Sequence, residues 1–373
     1  MVFCAGLAKG EGLRPGDRPY WVALNHVRGI GAARVRRLKE SFATLHDAWH
    51  APRHELLAAG LDERSTEALC EERQRLDPEA LLAAIEARGI EVLTWEEGAY
   101  PRRLAELPVA PPVLYVRGAL STQDEWAIAI VGTRRPTAYG REAAAHFASA
   151  LAGAGLTIVS GLARGIDAEA HRAALEAGGR SIAVMGCGVD TIYPPEHARL
   201  AQQMMESGAL VSSAPGTPPD GANFPPRNRI IAGLSLATIV VEAGEESGAL
   251  LTARYAADQG RDVFAVPGNV FSPTSRGTNR LIQDGAQPGI EPDDVLTALD
   301  LVRAAEHRQA RMLLPDWPTE ARRLEILGRG PMHVDAIRLR AQLPVEEVSS
   351  ALAMMELKRR VRHVGGMQYV IRF

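Results

Sequence analysis

A chain of 373 residues, 46% of them hydrophobic and 23% charged, has room for two or three domains and the composition of a soluble globular protein. Its net charge of −3 excludes a globally basic surface, so a nucleic-acid site would have to be a local patch. The three cysteines form no CxxC pair, and no apolar run reaches membrane length. We therefore expect a cytoplasmic protein without structural zinc or a membrane segment.

The N-terminal part of the chain is predicted to be a leader followed by a small helical domain. Residues 1–16 are rich in small residues and are interpreted as disordered, and residues 17–89 carry helical apolar spacing. Gly29 and Gly31 allow a tight reversal between two helices, which is typical of a SAM-like or helix-hairpin-helix domain. Arg34 follows the turn and could contact a DNA phosphate. The alternative is a turn that only packs two helices together.

The middle of the chain, residues 90–297, alternates short apolar runs with helical segments. This rhythm predicts a central Rossmann-like, doubly wound α/β sheet. The predicted strands are Ile90–Trp95, Val113–Val116, Ile128–Thr133, Leu156–Val159, Ser181–Met185, Ala209–Ser212, Ala237–Val241 and Val263–Val266. Predicted helices include Tyr139–Leu151, Ala168–Ala177 and Ala249–Gln259.

Three of these strands end in glycine-bearing turns, which is where open α/β sheets bind ligands. Free backbone N–H groups and helix dipoles at such turns attract phosphate, and arginine adds full positive charge. Several tips in a row suit a polymer better than one small ligand. The predicted contacts with single-stranded DNA at these tips are Gly132, Thr133, Arg134, Arg135, Ser160, Gly161, Arg164, Gly186 and Gly188.

A second basic stretch, Arg227-Asn228-Arg229, lies at the start of an apolar helical run. Guanidinium groups suit phosphate and also stack on bases, so these three residues join the predicted DNA contacts. The alternative is that the arginines form salt bridges with Glu242 or Asp190.

Evidence for catalysis or a cofactor is weak. The chain has no Walker A loop and no Gly-x-Ser-x-Gly motif, and Thr191 replaces the third glycine of a dinucleotide fingerprint. Asp167 and His171 have the i, i+4 spacing of a general-base pair, but a helix cap and a packed histidine are the favoured interpretation. We expect no catalytic residue, no cofactor and no metal ligands.

The C-terminal part is predicted to be a linker, residues 298–318, and a winged-helix (HTH) domain, residues 319–373. A helix over Val334–Ala341, a third helix over Val345–Lys358 and a wing around Gly365-Gly366 support this prediction. From Glu320 to the C-terminus there are ten Lys or Arg and six Asp or Glu residues. Contact of both end domains with double-stranded DNA is one hypothesis, and protein contact or domain packing is the other.

A series of motifs between Tyr100 and Ala286 resembles the DNA processing protein A family (DprA, also called Smf). The matching segments include Val113–Gly118, Ile130–Arg134, Ser160–Asp167 with His171, Tyr193-Pro194, Phe224-Pro225, Arg227–Leu234, Val241–Ala243, Ser247–Ala253, Val266–Gly268 and Gly277–Ile282. The resemblance implies a homodimer that binds single-stranded DNA and loads the RecA recombinase in natural transformation (competence). It also implies that Arg134 is a phosphate contact.

The sequence departs from the family pattern at two positions. Pro195 stands where the family often has a DNA-contacting lysine, and Ser213 stands where it often has glutamate. Arg164 or Arg199 could supply the missing charge.

The fold also resembles that of the lysine-decarboxylase-like nucleotide phosphoribohydrolases. Their Pro-Gly-Gly-x-Gly-Thr-x-x-Glu signature is not matched by residues 242–248. The main hypothesis is therefore a DNA-binding recombination mediator that is not an enzyme. The alternatives are a phosphoribohydrolase-like enzyme and a dimeric protein-interaction scaffold.

Overall fold

The computed structural model describes residues 17–213, 216–300, 332–341, 348, 352, 361–363 and 367–371. The predicted leader, the linker from residue 301 onward, the first winged-helix helix, most of the third and the Gly365-Gly366 tip lie outside these residues. The chain divides into two units, Met1–Ala305 and Glu306–Phe373, which are described separately.

The described helices are α1 (Arg18–His26), α2 (Ala32–Ser41), α3 (Leu45–His50), α4 (Arg53–Ala58), α5 (Glu63–Glu72), α6 (Pro78–Glu86), α7 (Arg102–Ala105), α8 (Ala138–Gly153), α9 (Ile166–Glu176), α10 (Ala198–Ser207), α11 (Phe224–Leu234), α12 (Gly248–Asp258), α13 (Arg276–Gln283), α14 (Pro292–Ala298) and α15 (Val334–Ala341). The described strands are β1 (Glu91–Thr94), β2 (Val113–Gly118), β3 (Ala127–Val131), β4 (Thr157–Ser160), β5 (Ser181–Val184), β6 (Ala209–Ser212), β7 (Ala237–Val240), β8 (Asp262–Ala265), β9 (Gln287–Pro288), β10 (Met332–His333), β11 (Val361–His363) and β12 (Gln368–Ile371).

Helices α1–α6 form the helical N-terminal part. The spacing of Leu24, Val27, Ile30, Val35 and Leu38 is compatible with one buried helical stripe. All five are buried, but they belong to two helices, α1 and α2, and the turn between them. Gly29 at this turn has φ of +91°, a conformation that residues with a Cβ rarely adopt. The apolar core of these helices is continuous with one face of the sheet. The predicted domain boundary at residue 89 stays a prediction.

The large sheet has nine strands in the order β1-β2-β6-β5-β4-β3-β7-β8-β9. From β6 to β9 all neighbours are parallel, whereas β2 is antiparallel to both β1 and β6. Every residue of β3 to β7 is buried, as expected for parallel strands covered by helices on both faces. The predicted Rossmann-like α/β fold is confirmed.

The strand order reverses between β3 and β7. Strands β3 to β6 extend the sheet in one direction, and β7 to β9 extend it in the other. The register places Ile128 opposite Ala237 and Val131 opposite Val240. The carboxyl ends of β3 and β7 therefore lie side by side at a topological switch point, where doubly wound sheets bind ligands.

The second unit contains a three-stranded antiparallel sheet in the order β10-β12-β11, together with α15. Val334, Ile337, Val348 and Leu352 form its buried apolar cluster. Helix α15 has the predicted bounds, and β11 pairs with β12 as the predicted wing requires. None of the helices described in either unit combines the length and apolar character that a membrane span needs.

Candidate nucleic-acid interface

A cleft of about 690 Å³ opens at the switch point between β3 and β7. The turn after β3, the start of α11 and the start of α12 form its walls. Thr133, Arg134, Phe224, Asn228 and Ser247 are among its lining residues. The structure therefore brings Gly132–Arg135 of one predicted stretch and Arg227 and Asn228 of the other to one cleft.

Arg134 is an exposed cation of this cleft. Its guanidinium carbon lies 5.2 Å from the centroid of the Phe224 ring, within cation–π distance. The Phe224 ring in turn lies 6.2 Å from the partly exposed ring of Tyr193, at an interplanar angle of 32°. Arg135 is exposed next to Arg134. Arginine and aromatic side chains thus form one continuous surface at the strand tips.

The glycines at the strand tips serve close packing. A Cβ on Gly132 would lie 2.6 Å from Ile166, one on Gly161 would lie 2.3 Å from the Arg227 guanidinium, and one on Gly186 would lie 2.5 Å from the Phe224 ring. Distances this short are not tolerated by real Cβ atoms. Internal side chains therefore explain these glycines without a phosphate.

Most of the predicted donors at the strand tips already have internal partners. The Ser160 hydroxyl, fully buried, donates to the Ile130 carbonyl over 2.6 Å. The Gly161 N–H donates to the Asp167 carboxylate over 3.1 Å, and the buried Gly188 N–H donates to the Thr217 carbonyl over 2.9 Å. These donors are engaged inside the protein, and direct phosphate contact by Ser160, Gly161 and Gly188 stays a prediction.

Asp167 and His171 belong to a buried structural network. His171 Nε2 accepts the Leu162 N–H over 3.2 Å, and its Nδ1 lies 2.7 Å from the Ser181 hydroxyl, which donates to the Ile158 carbonyl. Burial lowers the pKa of His171 to about 3, so the ring is neutral. Asp167 accepts backbone N–H groups instead of a proton from His171. These contacts give both side chains structural partners, but Asp167 lies inside α9 and accepts N–H groups of the preceding turn, so the predicted helix cap is wrong.

Arg227 is buried beneath the cleft, with 6% of its surface exposed. Its Nη1 donates to the Gly161 carbonyl over 2.6 Å and also to the Val184 carbonyl. Burial lowers the pKa of its guanidinium, and the charge of Asp167 opposes this shift. Arg227 therefore joins the ends of β4 and β5. Its contact with phosphate and the alternative of a salt bridge with Glu242 or Asp190 both stay predictions.

The two residues that follow Arg227 in the chain lie in different environments. Asn228 lines the cleft, and its amide donates to the Gly248 carbonyl over 3.3 Å. The Arg229 guanidinium lies 4.7 Å from the centroid of the Tyr255 ring. Arg229 is absent from the residues that line the cleft, so any DNA contact by this side chain stays a prediction.

Arg164 is exposed but forms an ion pair with Glu196. This contact raises the pKa of Arg164 and lowers that of Glu196. Arg164 lies near Tyr193 and Arg134 around a smaller cavity, yet part of its charge is neutralised. Its ability to replace the lysine that the family has at Pro195 therefore stays a prediction.

At the predicted helix-hairpin-helix turn, Arg34 is hydrogen-bonded within the protein. Arg34 donates to the Gly29 carbonyl over 2.5 Å and to the Asp62 carboxylate. A backbone hydrogen bond from Ser65 and the contact with Arg34 lower the pKa of Asp62 to about 2. Gly31 takes an extended conformation before α2. Arg34 therefore closes the turn, and DNA contact by Gly29, Gly31 and Arg34 stays a prediction.

Sequence reasoning missed the aromatic component of the site. Phe224 belongs to a stretch noted for its arginines, but neither it nor Tyr193 was among the predicted contacts. Aromatic residues are common in cores, so only the structure distinguishes a ring at a strand tip. Among the described residues, no group of three or more His, Cys, Asp or Glu side chains could hold a metal ion.

The fold and the cleft define a class: a doubly wound α/β protein with an arginine-bearing switch point and a C-terminal winged helix. Residues 91–300 match the family described as DNA recombination-mediator protein A, and residues 309–367 match the DprA winged helix domain. The chain belongs to the DprA/Smf family of DNA processing proteins.

Individual relatives agree with this assignment. Protein Smf of Synechocystis is 34% identical over 95% of this chain and 98% of its own length, and Protein Smf of Escherichia coli is 42% identical over 72% and 74%. The solved structure of DNA processing protein A from Streptococcus pneumoniae covers 75% of this chain and 97% of that chain, with TM-score 0.66 and 32% identity. A Helicobacter pylori DNA processing protein A, described by its single-stranded DNA binding mode, covers 56% and 95%, with TM-score 0.50 and 31% identity.

Proposed function

We propose that this protein binds single-stranded DNA at the switch-point cleft through Arg134 and the Phe224–Tyr193 surface. The observation that carries the proposal is the pairing of an exposed guanidinium with an aromatic ring at the tip of β3. Among the described residues, no carboxylate lies within ion-pair distance of Arg134, so its charge is available to a phosphate. The single-stranded DNA binding mode described for the Helicobacter pylori relative supports the same ligand.

The mode of binding follows from the residue types. A guanidinium recognises a phosphate irrespective of the base, and aromatic rings stack on any base. Bases are available for stacking in a single strand, whereas in a duplex they are paired. We therefore expect binding that is independent of sequence, prefers single strands and weakens with salt. Arg135 would add a second phosphate contact.

The test is a salt titration of binding to a single-stranded oligonucleotide by Arg134→Ala. Loss of one phosphate contact should weaken binding for all sequences alike and reduce the slope of log K against log salt by about 0.7–1. The matched control is Arg102→Ala, which removes the same charge from an exposed ion pair on α7. An unchanged slope for Arg134→Ala, or an equal loss for Arg102→Ala, contradicts the proposed site.

The biological role we propose is that of a cytoplasmic recombination mediator in natural transformation. The protein would form a homodimer, hold incoming single-stranded DNA and load RecA onto it, without chemistry of its own. Family membership supports this role.

RecA loading is tested by following RecA filament formation on strands coated with single-strand-binding protein. Arg134→Ala should lose the stimulation of filament formation. Sedimentation should report a dimer for the wild type and for the variant.

The enzyme hypothesis is tested by incubating the protein with nucleoside monophosphates. No free base should be released; release would favour a phosphoribohydrolase.

A further inference from the structure

The N-terminus of α8 is the place where a Rossmann-like sheet would hold a phosphate. α8 follows β3, the strand at the switch point, and begins after the cap residue Thr137. In dinucleotide-binding folds, the pyrophosphate lies at the N-terminus of the corresponding helix, where unpaired N–H groups and the helix dipole favour an anion. The question is what occupies this position here.

A carboxylate of the protein itself occupies it. Glu242, at the end of β7, is 2% exposed. Its Oε2 accepts the Thr137 N–H over 2.9 Å, and its Oε1 accepts the Thr137 hydroxyl over 2.7 Å and the Thr274 hydroxyl over 3.1 Å. The acceptor at this helix N-terminus is thus a side chain of the protein itself.

The surrounding backbone is shaped around this carboxylate. Gly140 lies in the first turn of α8, and a Cβ there would be 2.0 Å from Glu242 Oε2. The Glu242 carbonyl accepts the Thr133 N–H over 2.7 Å, so the main chain of the same residue joins the tips of β7 and β3. Both the side chain and the main chain of Glu242 therefore consume donors that a phosphate would use.

The backbone donors at the tip of β4, next to β3 in the sheet, are also bonded to an internal carboxylate. After β4, the buried Asp167 carboxylate accepts the N–H groups of Gly161 and Ala163 over 3.1 and 3.4 Å. Two adjacent strand tips at the switch point thus carry internal carboxylates on their backbone donors. A small anion that approached either tip would meet carboxyl oxygens and amides already in use.

We call the anion position at the N-terminus of α8, next to the Thr137 N–H and hydroxyl, the phosphate seat. We propose that Glu242 is a specificity-determining residue that fills this seat and so excludes free phosphate and mononucleotides from it. Small phosphate ligands depend on such a seat, whereas a polymer can be held by several surface side chains at once. The exclusion concerns small anions and holds whether or not the cleft binds DNA, so it can fail independently of the proposed function.

The test compares thermal unfolding of the wild type and of Glu242→Ala in inorganic phosphate and in sodium chloride of equal ionic strength. The alanine variant vacates the seat, so it should melt at lower temperature. Phosphate at about ten times its dissociation constant should then raise the melting temperature by roughly 4 °C relative to chloride. The wild type should show no such difference. Isothermal titration with inorganic phosphate should detect binding by the variant alone.

The matched control is Glu245→Ala, which removes the same charge from an exposed position three residues along the chain. It should show no specific response to phosphate. Glu242→Gln keeps the shape of the side chain, so it should be destabilised without gaining phosphate binding. If the alanine variant does not fold, phosphate binding by Glu242→Gln contradicts the proposal, because its side chain still fills the same space. Phosphate binding by the wild type, an equal response of Glu245→Ala, or a vacated seat that ignores phosphate overturns the proposal.

Discussion

Two arginines approach the same aromatic ring and have different roles. The guanidinium carbons of Arg134 and Arg227 lie 5.2 and 5.8 Å from the centroid of the Phe224 ring. Arg134 is exposed at the tip of β3, whereas Arg227 is buried and donates to backbone carbonyls at the ends of β4 and β5. Residue type and distance to the ring are alike, so burial alone decides which arginine can meet a ligand.

The difference has a simple electrostatic origin. A buried guanidinium must satisfy its donors inside the protein, because an unpaired buried charge is very costly. Arg227 does so with the Gly161 and Val184 carbonyls and faces the negative charge of Asp167. An exposed guanidinium remains hydrated and can exchange water for phosphate at little cost. We call Arg227 the inner arginine and Arg134 the outer arginine. The inner arginine holds the strand tips that position Phe224 and the outer arginine.

The largest effect is expected from removing the inner arginine. Arg227→Met leaves two carbonyls without donors and Asp167 without its compensating charge, so the free energy of unfolding should fall by about 3–5 kcal/mol. Urea denaturation followed by circular dichroism measures this loss. Arg134→Ala is the matched control and should change the free energy of unfolding by no more than about 0.5 kcal/mol. Equal stability losses for the two variants would remove the distinction between an inner and an outer arginine.

A second prediction concerns the pH dependence of the inner network. The pKa of His171 is lowered to about 3 in the folded protein, against 6.5 in the unfolded chain. Between these values the unfolded state binds more protons, so stability must fall as the pH falls. The slope from this group is at most about 1.4 kcal/mol per pH unit. His171→Gln should remove it.

The measurement is urea denaturation of both forms at several pH values from about 5 to 6.5. Burial raises the pKa of Asp167, which acts in the opposite direction, but this contribution is largely common to both forms and cancels in their difference. His54→Gln, at an exposed position on α4, should leave the slope unchanged. Equal slopes for the wild type and His171→Gln would contradict a lowered pKa of His171 in the folded protein.

Much of the fold could be predicted from the sequence because its signals are local. Short apolar runs located β3 to β8 to within one or two residues. What local patterns could not supply was the pairing of strands: nothing in Val113–Gly118 indicates that β2 runs antiparallel between β1 and β6. Strand order depends on contacts between segments that are distant along the chain.

The site was harder to predict because a strand tip offers its donors to internal and external acceptors alike. The glycines at residues 132, 161 and 186 were correctly placed at strand tips. Glycine is required there because neighbouring side chains leave no room for a Cβ. A motif shows where polar groups gather. Only the contacts of Glu242, Asp167 and Arg227 show which of those groups are already occupied.

The smallest effect is expected at the helical hairpin, which extends the comparison to a third arginine. Arg34 is partly exposed like an outer arginine but engaged like an inner one, because it donates to the Gly29 carbonyl and the Asp62 carboxylate. If engagement rather than exposure removes an arginine from DNA binding, Arg34→Ala should leave the salt slope for single-stranded DNA within error of the wild type. The same titration on duplex DNA examines the helix-hairpin-helix hypothesis. A drop of about 0.9 in the duplex slope would mean that DNA displaces Asp62, so that engagement does not protect an arginine that lies at the surface.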